Sequence, residues 1–187
     1  MKAFLVSAIT VASAEIGDKT QFLAMVLATR YKKPFIIILG IVIATLLNHL
    51  LAGVIGEWLG TQFKPSILHI VLACSYLIAA IWVLLPEKAE TDEPISLSRG
   101  GMLFAIIIAF FLAEMGDKTQ VATAMLAANY QSLFQVVLGS TLGMLIANIP
   151  AVFIGNKVSQ FVPVRLMRAI AASIFVVLAL VELKAYW

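Results

Sequence analysis

The chain has 187 residues, 62% of them hydrophobic and 12% charged, with a mean hydropathy of +1.03 and a formal net charge of +3. A soluble domain is about half apolar and about one-quarter charged, so this composition excludes a water-soluble globule and points to lipid as the solvent. The Lys and Arg residues are spread along the chain and form no patch, which argues against nucleic acid as a partner.

At ~20 residues per span, the length accommodates six membrane helices and leaves no room for a soluble domain. Lipid offers the backbone no hydrogen-bond partners, so long apolar runs there must be helical. The strands of a barrel would be shorter and would alternate in polarity. The first run covers residues 3–28 and starts like a signal peptide, with Lys2, an apolar stretch and Ala12-Ser13-Ala14. It then carries Glu15, Gly17, Asp18, Lys19, Thr20 and Gln21, which no cleavage site requires. RYKKP at 30–34 separates it from a second run, 34–56, which holds Asn48 and His49. FKPS at 63–66 leads to the third, 66–86, where Cys74 reads as a small packed core residue.

The stretch 86–99 is polar, with four acids and two bases, and reads as a solvated connector. Beyond it the run 100–128 carries Glu114, Gly116, Asp117, Lys118, Thr119 and Gln120. Runs at 133–155, with Asn148 and Pro150, and at 164–186 complete the chain. The second hexad repeats the first at an offset of 99 residues, and Leu27-Ala28, Tyr31, Phe35, Leu39-Gly40 and Gly56 recur at the same offset. A signal peptide has no reason to recur in mid-chain, so the first run is retained.

Three spans per half make the second half enter the membrane from the opposite face. The expected fold is therefore an all-α integral membrane protein of six transmembrane helices, built as two inverted three-helix repeats. One membrane domain comprises the first repeat, 1–88, a cytoplasmic connector, 89–99, and the second repeat, 100–187. Alternate loops carry eight Lys/Arg on one side (Arg30, Lys32, Lys33, Lys88, Arg99, Lys157, Arg165, Arg168) and three on the other (Lys2, Lys64, Lys184). The positive-inside rule places the eight in the cytoplasm and both termini outside, in a multi-pass cell (inner) membrane protein.

Glu15 and Glu114 fall about 20 Å into their spans, near mid-bilayer. A carboxylate there costs at least ~2.5 kcal/mol, so four of them call for a reason. Pairing Glu15 with Lys19 and Glu114 with Lys118 at helical i,i+4 spacing accounts for two and leaves Asp18 and Asp117 over. Gly17 and Gly116 permit either close helix contact or local unwinding that frees carbonyls. Four carboxylates and two ammonium groups leave −2, the charge that one divalent cation neutralises.

The candidate metal ligands are Glu15, Asp18, Glu114 and Asp117. Gly17, Lys19, Thr20, Gln21, Gly116, Lys118, Thr119 and Gln120 support them, and Asn48 and Asn148 stand as accessory positions. Hard oxygen donors suit Ca²⁺, Mn²⁺ or Mg²⁺ over Zn²⁺ or Cu⁺, with Mg²⁺ disfavoured because it sheds water reluctantly. Met25, Met115 and Met125 read as packing residues before soft ligands.

The hexapeptides E-I-G-D-K-T and E-M-G-D-K-T resemble the E-x-G-D-[KR]-[ST] signature of the Golgi and bacterial manganese and calcium transporters, and the resemblance spans the whole chain. It implies a non-enzymatic transporter that exports a divalent cation, Mn²⁺ foremost or Ca²⁺, by exchange against protons, with the motif acids as ligands. The expected partners are the cation, H⁺ and the lipid bilayer, with no cofactor beyond the cargo, and a homo-oligomer is compatible with the fold. Two alternatives share parts of the pattern: an intramembrane aspartyl protease using Asp18 and Asp117 as a dyad, and a passive cation channel.

Overall fold

A computed structural model describes residues 1–84, 99–154 and 164–186, so most of the connector lies outside the described residues. Among the described residues there are eight α-helices and no strand: α1 (Lys2–Glu15), α2 (Lys19–Tyr31), α3 (Pro34–Gln62), α4 (Pro65–Leu84), α5 (Arg99–Glu114), α6 (Lys118–Tyr130), α7 (Leu133–Ile154) and α8 (Val164–Tyr186). The two helices beyond the expected six arise because the first and fourth apolar runs are each broken in the middle, at 16–18 and at 115–117.

The helix boundaries repeat with the sequence. α2 and α6 both end on a residue in the left-handed region, Lys32 (φ 49) and Gln131 (φ 47), 99 positions apart. Pro34 then opens α3 at a position where its missing N–H costs nothing. α3 and α7 are long and apolar enough to cross a membrane unaided. α1 packs against α7 and α5 against α3, so each long helix holds a half-helix from the other half of the chain. α2 lies on α7, α6 on α3, and α4 pairs with α8.

Two apolar clusters fill the interior. One gathers Tyr76, Leu126, Met125 and Phe175, and the other Met25, Ile37, Ile41, Ile106 and Phe110. Met25 and Met125 thus pack in the interior, while Met115 is exposed. Cys74 departs from its expected place: it is exposed on α4.

The polarity of the molecule is inverted relative to a soluble protein. Phe35, Phe134, Ile78, Ile81 and Phe104 are exposed, whereas Glu15, Glu114, Asp117 and Lys118 are buried. A soluble monomer rarely exposes apolar surface on this scale. An exterior of this kind suits lipid, and it leaves the charges to be satisfied by one another.

Candidate metal centre

Both breaks have the same construction. α1 ends on Glu15, Ile16 is extended (φ −63, ψ 120), Gly17 has φ 83, and Asp18 stands at the N-cap of α2. In the second copy α5 ends on Glu114, Gly116 has φ 75, and Asp117 stands at the N-cap of α6. An L-residue with a side chain pays about 1–2 kcal/mol to enter the left-handed region, so glycine is needed here for its backbone. Around Gly116 a Cβ would meet nothing within 4 Å, which makes conformation and not space the constraint. Of the two options that the sequence leaves open, close contact or unwinding, the chain takes unwinding.

The broken backbone is repaired by side chains of the motif. Gly17 N–H donates to Gln21 Oε1 at 2.9 Å, and Gly116 N–H to Gln120 Oε1 at 2.7 Å. The amide nitrogens then reach the long helices: Gln21 Nε2 donates to the Ala147 carbonyl (3.0 Å) and Gln120 Nε2 to Asn48 Oδ1 (3.3 Å). The glutamine oxygens, prospective cation ligands in the sequence, are thus taken up by the breaks. Asn48 also donates to the Phe111 carbonyl at 3.0 Å, tying α3 to α5. Asn148 donates to Met144 O and Sδ within its own helix and keeps a buried Oδ1 without a partner.

The carboxylates converge where the breaks meet. Ligand oxygens of Glu15, Glu114 and Asp117 lie within 4.8 Å of one another, all three residues buried. Two oxygens on opposite sides of a cation bound at about 2.3–2.6 Å would be about 5 Å apart, so the spacing suits one ion among three ligands. Thr20 Oγ1 donates to Glu15 Oε1, and Thr119 Oγ1 lies 3.2 Å from Glu114 Oε2 and 3.3 Å from Asp117 Oδ2. Glu15 Oε2 and Glu114 Oε1 are buried without a protein partner, as free ligand positions would be.

Asp18 stands apart from this trio. Its Oδ1 accepts from Lys118 Nζ of the other motif at 2.5 Å. Lys19 Nζ lies 3.5 Å from Asp117 Oδ1, again across the halves. The pairs Lys118–Asp18 and Lys19–Asp117 therefore join one motif to the other. Asp18 and Asp117 hold N-cap positions, yet neither side chain caps its helix. Asp117 joins the trio instead and Asp18 meets Lys118, with the positive ends of α2 and α6 behind them.

Comparison with known proteins decides the family. The family described as "Divalent cation/proton antiporter GDT1" matches residues 3–91 and 102–187. The chain belongs to the GDT1 family. It is 47% identical over 181 residues to a Vibrio cholerae protein named "Putative manganese exporter", covering 96% of this chain and 90% of that one. A GDT1-like protein of Synechocystis is 27% identical over 201 residues, with 97% of each chain covered. The chloroplastic PAM71 homologue of Arabidopsis thaliana is also 27% identical, over 89% of this chain and 55% of its own length. No solved structure matches the chain.

Family membership makes this GDT1 protein a membrane transporter of cations and not an enzyme, which removes the protease reading. The geometry agrees, since the aspartates of the supposed dyad are each paired with a lysine.

Proposed function

We propose that this GDT1 protein exports a divalent cation, Mn²⁺ before Ca²⁺, in exchange for protons, by alternating access at the centre formed by Glu15, Glu114, Asp117 and Asp18. In this reading six spans form two inverted three-helix repeats, 1–88 and 100–187, joined by a cytoplasmic connector at 89–99. The observation that carries it is the meeting of three buried carboxylates, drawn from both broken helices, within 4.8 Å. The name of the Vibrio cholerae relative supports manganese as the cargo.

Competition between cargo and built-in cations supplies the cycle. Lys118 holds Asp18 and Lys19 approaches Asp117, so the protein's own cations partly neutralise the carboxylates. An arriving dication takes Glu15, Glu114 and Asp117 as ligands and draws Asp18 away from Lys118. Its departure leaves repelling carboxylates in a medium of low dielectric, which protons from the exit side then neutralise. Access is unequal on the two sides. Lys118 is 5% exposed and Lys19 35%. α6 buries Thr119, Ala122, Thr123 and Met125 through Ala128, while α2 buries only Thr20, Ala24 and Met25 among its described side chains. In the proposed topology α2 is the cytoplasmic half of its span, so this conformation is the one that loads cargo from inside.

The test is Mn²⁺ binding and flux in purified Glu15→Gln and Asp117→Asn proteins. Losing one buried charged ligand costs about 3 kcal/mol, roughly a hundredfold in affinity. Both variants should therefore lose transport while still inserting and purifying. Undiminished flux in either would remove the proposed centre.

A further inference from the structure

The register of α3 on α7 locates the residues that flank the centre. Gly53 of α3 faces Leu133 and Val137 of α7, while Ile37 and Ile41 share an apolar cluster with Ala151 and Val152. The two helices therefore run antiparallel and cross near Thr45 and Met144, themselves a 99-residue pair. The motif glutamines reach them at Asn48 and at the Ala147 carbonyl, so the motifs lie at the level of this crossing. One turn (~6 Å) from the crossing, on opposite sides, come His49 and Asn148, again a 99-residue pair. In the proposed topology His49 is on the outer side and Asn148 on the inner.

Both residues are buried, and both keep polar atoms without a partner among the described residues: the two ring nitrogens of His49, and Asn148 Oδ1. An unbonded imidazole that is only 1% exposed is costly, and a leucine would fill the place without that cost. A neutral ring always offers one nitrogen lone pair. The polarity continues outward from His49. Ser7, Thr10 and Thr141 are buried hydroxyls, also without a partner among the described residues, and the register that sets Gly53 against Val137 brings Thr141 level with His49. At the 99-residue offset these three correspond to Ile106, Ala109 and Val42, so the inner half lacks them. An exported cation leaves on the outer side, where protein donors have to replace its lost hydration.

We infer that His49 is a transfer ligand: a Mn²⁺ ion leaving the carboxylates for the outside is taken by a His49 ring nitrogen, and that contact selects Mn²⁺ over Ca²⁺. The role rests on the export reading above and gives its ion preference a residue. Ca²⁺ takes oxygen ligands. Manganese accepts imidazole beside carboxylates, as in the dimanganese sites of helical bundles. The two flanking positions thus differ in kind, since Asn148 presents an amide oxygen that serves either ion and His49 a nitrogen that serves one. A resident ligand histidine is anchored through its second nitrogen by a carboxylate or carbonyl. His49 has no such anchor among the described residues and is not one of the three ligands within 4.8 Å of one another, which suits a passing contact.

Initial fluxes of Mn²⁺ and Ca²⁺ down their own gradients, in proteoliposomes with the same pH on both sides, read the selection directly. His49→Asn, which makes the flanking positions alike, should lower the Mn²⁺/Ca²⁺ flux ratio about tenfold by slowing Mn²⁺, the low end of what partners in a metal's outer shell contribute. His49→Gln should act in the same direction and replaces the first variant if that one folds poorly. Equilibrium Mn²⁺ affinity should stay within about 2-fold of the native protein in either, which reports an intact centre. An unchanged flux ratio, or a loss of affinity as large as the loss of flux, overturns the transfer ligand. Absence of pH-driven Mn²⁺ movement by the native protein overturns the exchange reading instead, and the ratio of downhill fluxes still judges His49.

Discussion

At the scale of residues, the motif divides its labour between chemistry and backbone repair. Glu15, Glu114 and Asp117 supply charge, while glycine and glutamine make a break in a membrane helix affordable. Gly116→Ala should destabilise the protein by about 1–2 kcal/mol, and Gly116→Asn by less, since asparagine tolerates the left-handed region. Thermal unfolding in detergent reads the difference. Gln120→Leu should cost about 1–3 kcal/mol by leaving the Gly116 N–H without an acceptor, and Gln120→Glu should recover most of it. Lys118→Met removes a competitor for Asp18, so Mn²⁺ should bind at least about tenfold more tightly, a change of ~1.4 kcal/mol, and turn over more slowly. Equilibrium binding and initial flux, measured on the same preparation, check both parts. The acids were legible in the sequence because charge at mid-bilayer is costly. The glutamine role was not, because an amide reads equally well as a ligand until the break is seen to need its oxygen. Glu182 has Val83 at the 99-residue offset, so the repeat does not point to it.

At the scale of elements, spacing located the helices well and their continuity poorly. The turn at RYKKP falls where α2 ends, and the gap between the runs 100–128 and 133–155 where α6 ends, since Lys32 and Gln131 stop both helices in the same way. The interruptions at 16–18 and 115–117 are hidden from hydropathy, because Ile16 and Met115 keep the run apolar. Close packing between elements was equally hidden. A Cβ on Gly56 of α3 would lie 2.7 Å from Ala124 Cα of α6, whereas one on Gly53 would meet only the side-chain tips of Leu133 and Val137 at 2.7 and 2.9 Å. Backbone cannot yield as a leucine tip can. Gly56→Ala should therefore cost about 1–3 kcal/mol by overpacking, and Gly53→Ala clearly less, in the same unfolding assay.

At the scale of the whole molecule, composition alone pointed to lipid, and the exposed belt of Phe35, Phe134, Ile78 and Ile81 accords with it. The doubled motif leads to the expectation that two halves share one centre, and the crossed pairs Lys118–Asp18 and Lys19–Asp117 link one motif to the other. What the doubling hid is asymmetry. Two nearly identical motifs suggest equal halves, yet Lys118 is buried and Lys19 is not: α6 is packed on α1, α3, α4 and α7, and its Asn129 donates to Glu182 of α8. The alternating access we propose needs both conditions: a site that accepts its cargo from either side, and an asymmetric closure that shows it to one side at a time.

The central claim is exchange, and Mn²⁺ movement into proteoliposomes with an acidic lumen tests it most directly. The account predicts accumulation of Mn²⁺ against its own gradient while the pH difference lasts, abolished by a proton ionophore and absent in Glu15→Gln. Flux that runs only downhill and is indifferent to the pH gradient would contradict it and mark the protein as a passive cation channel.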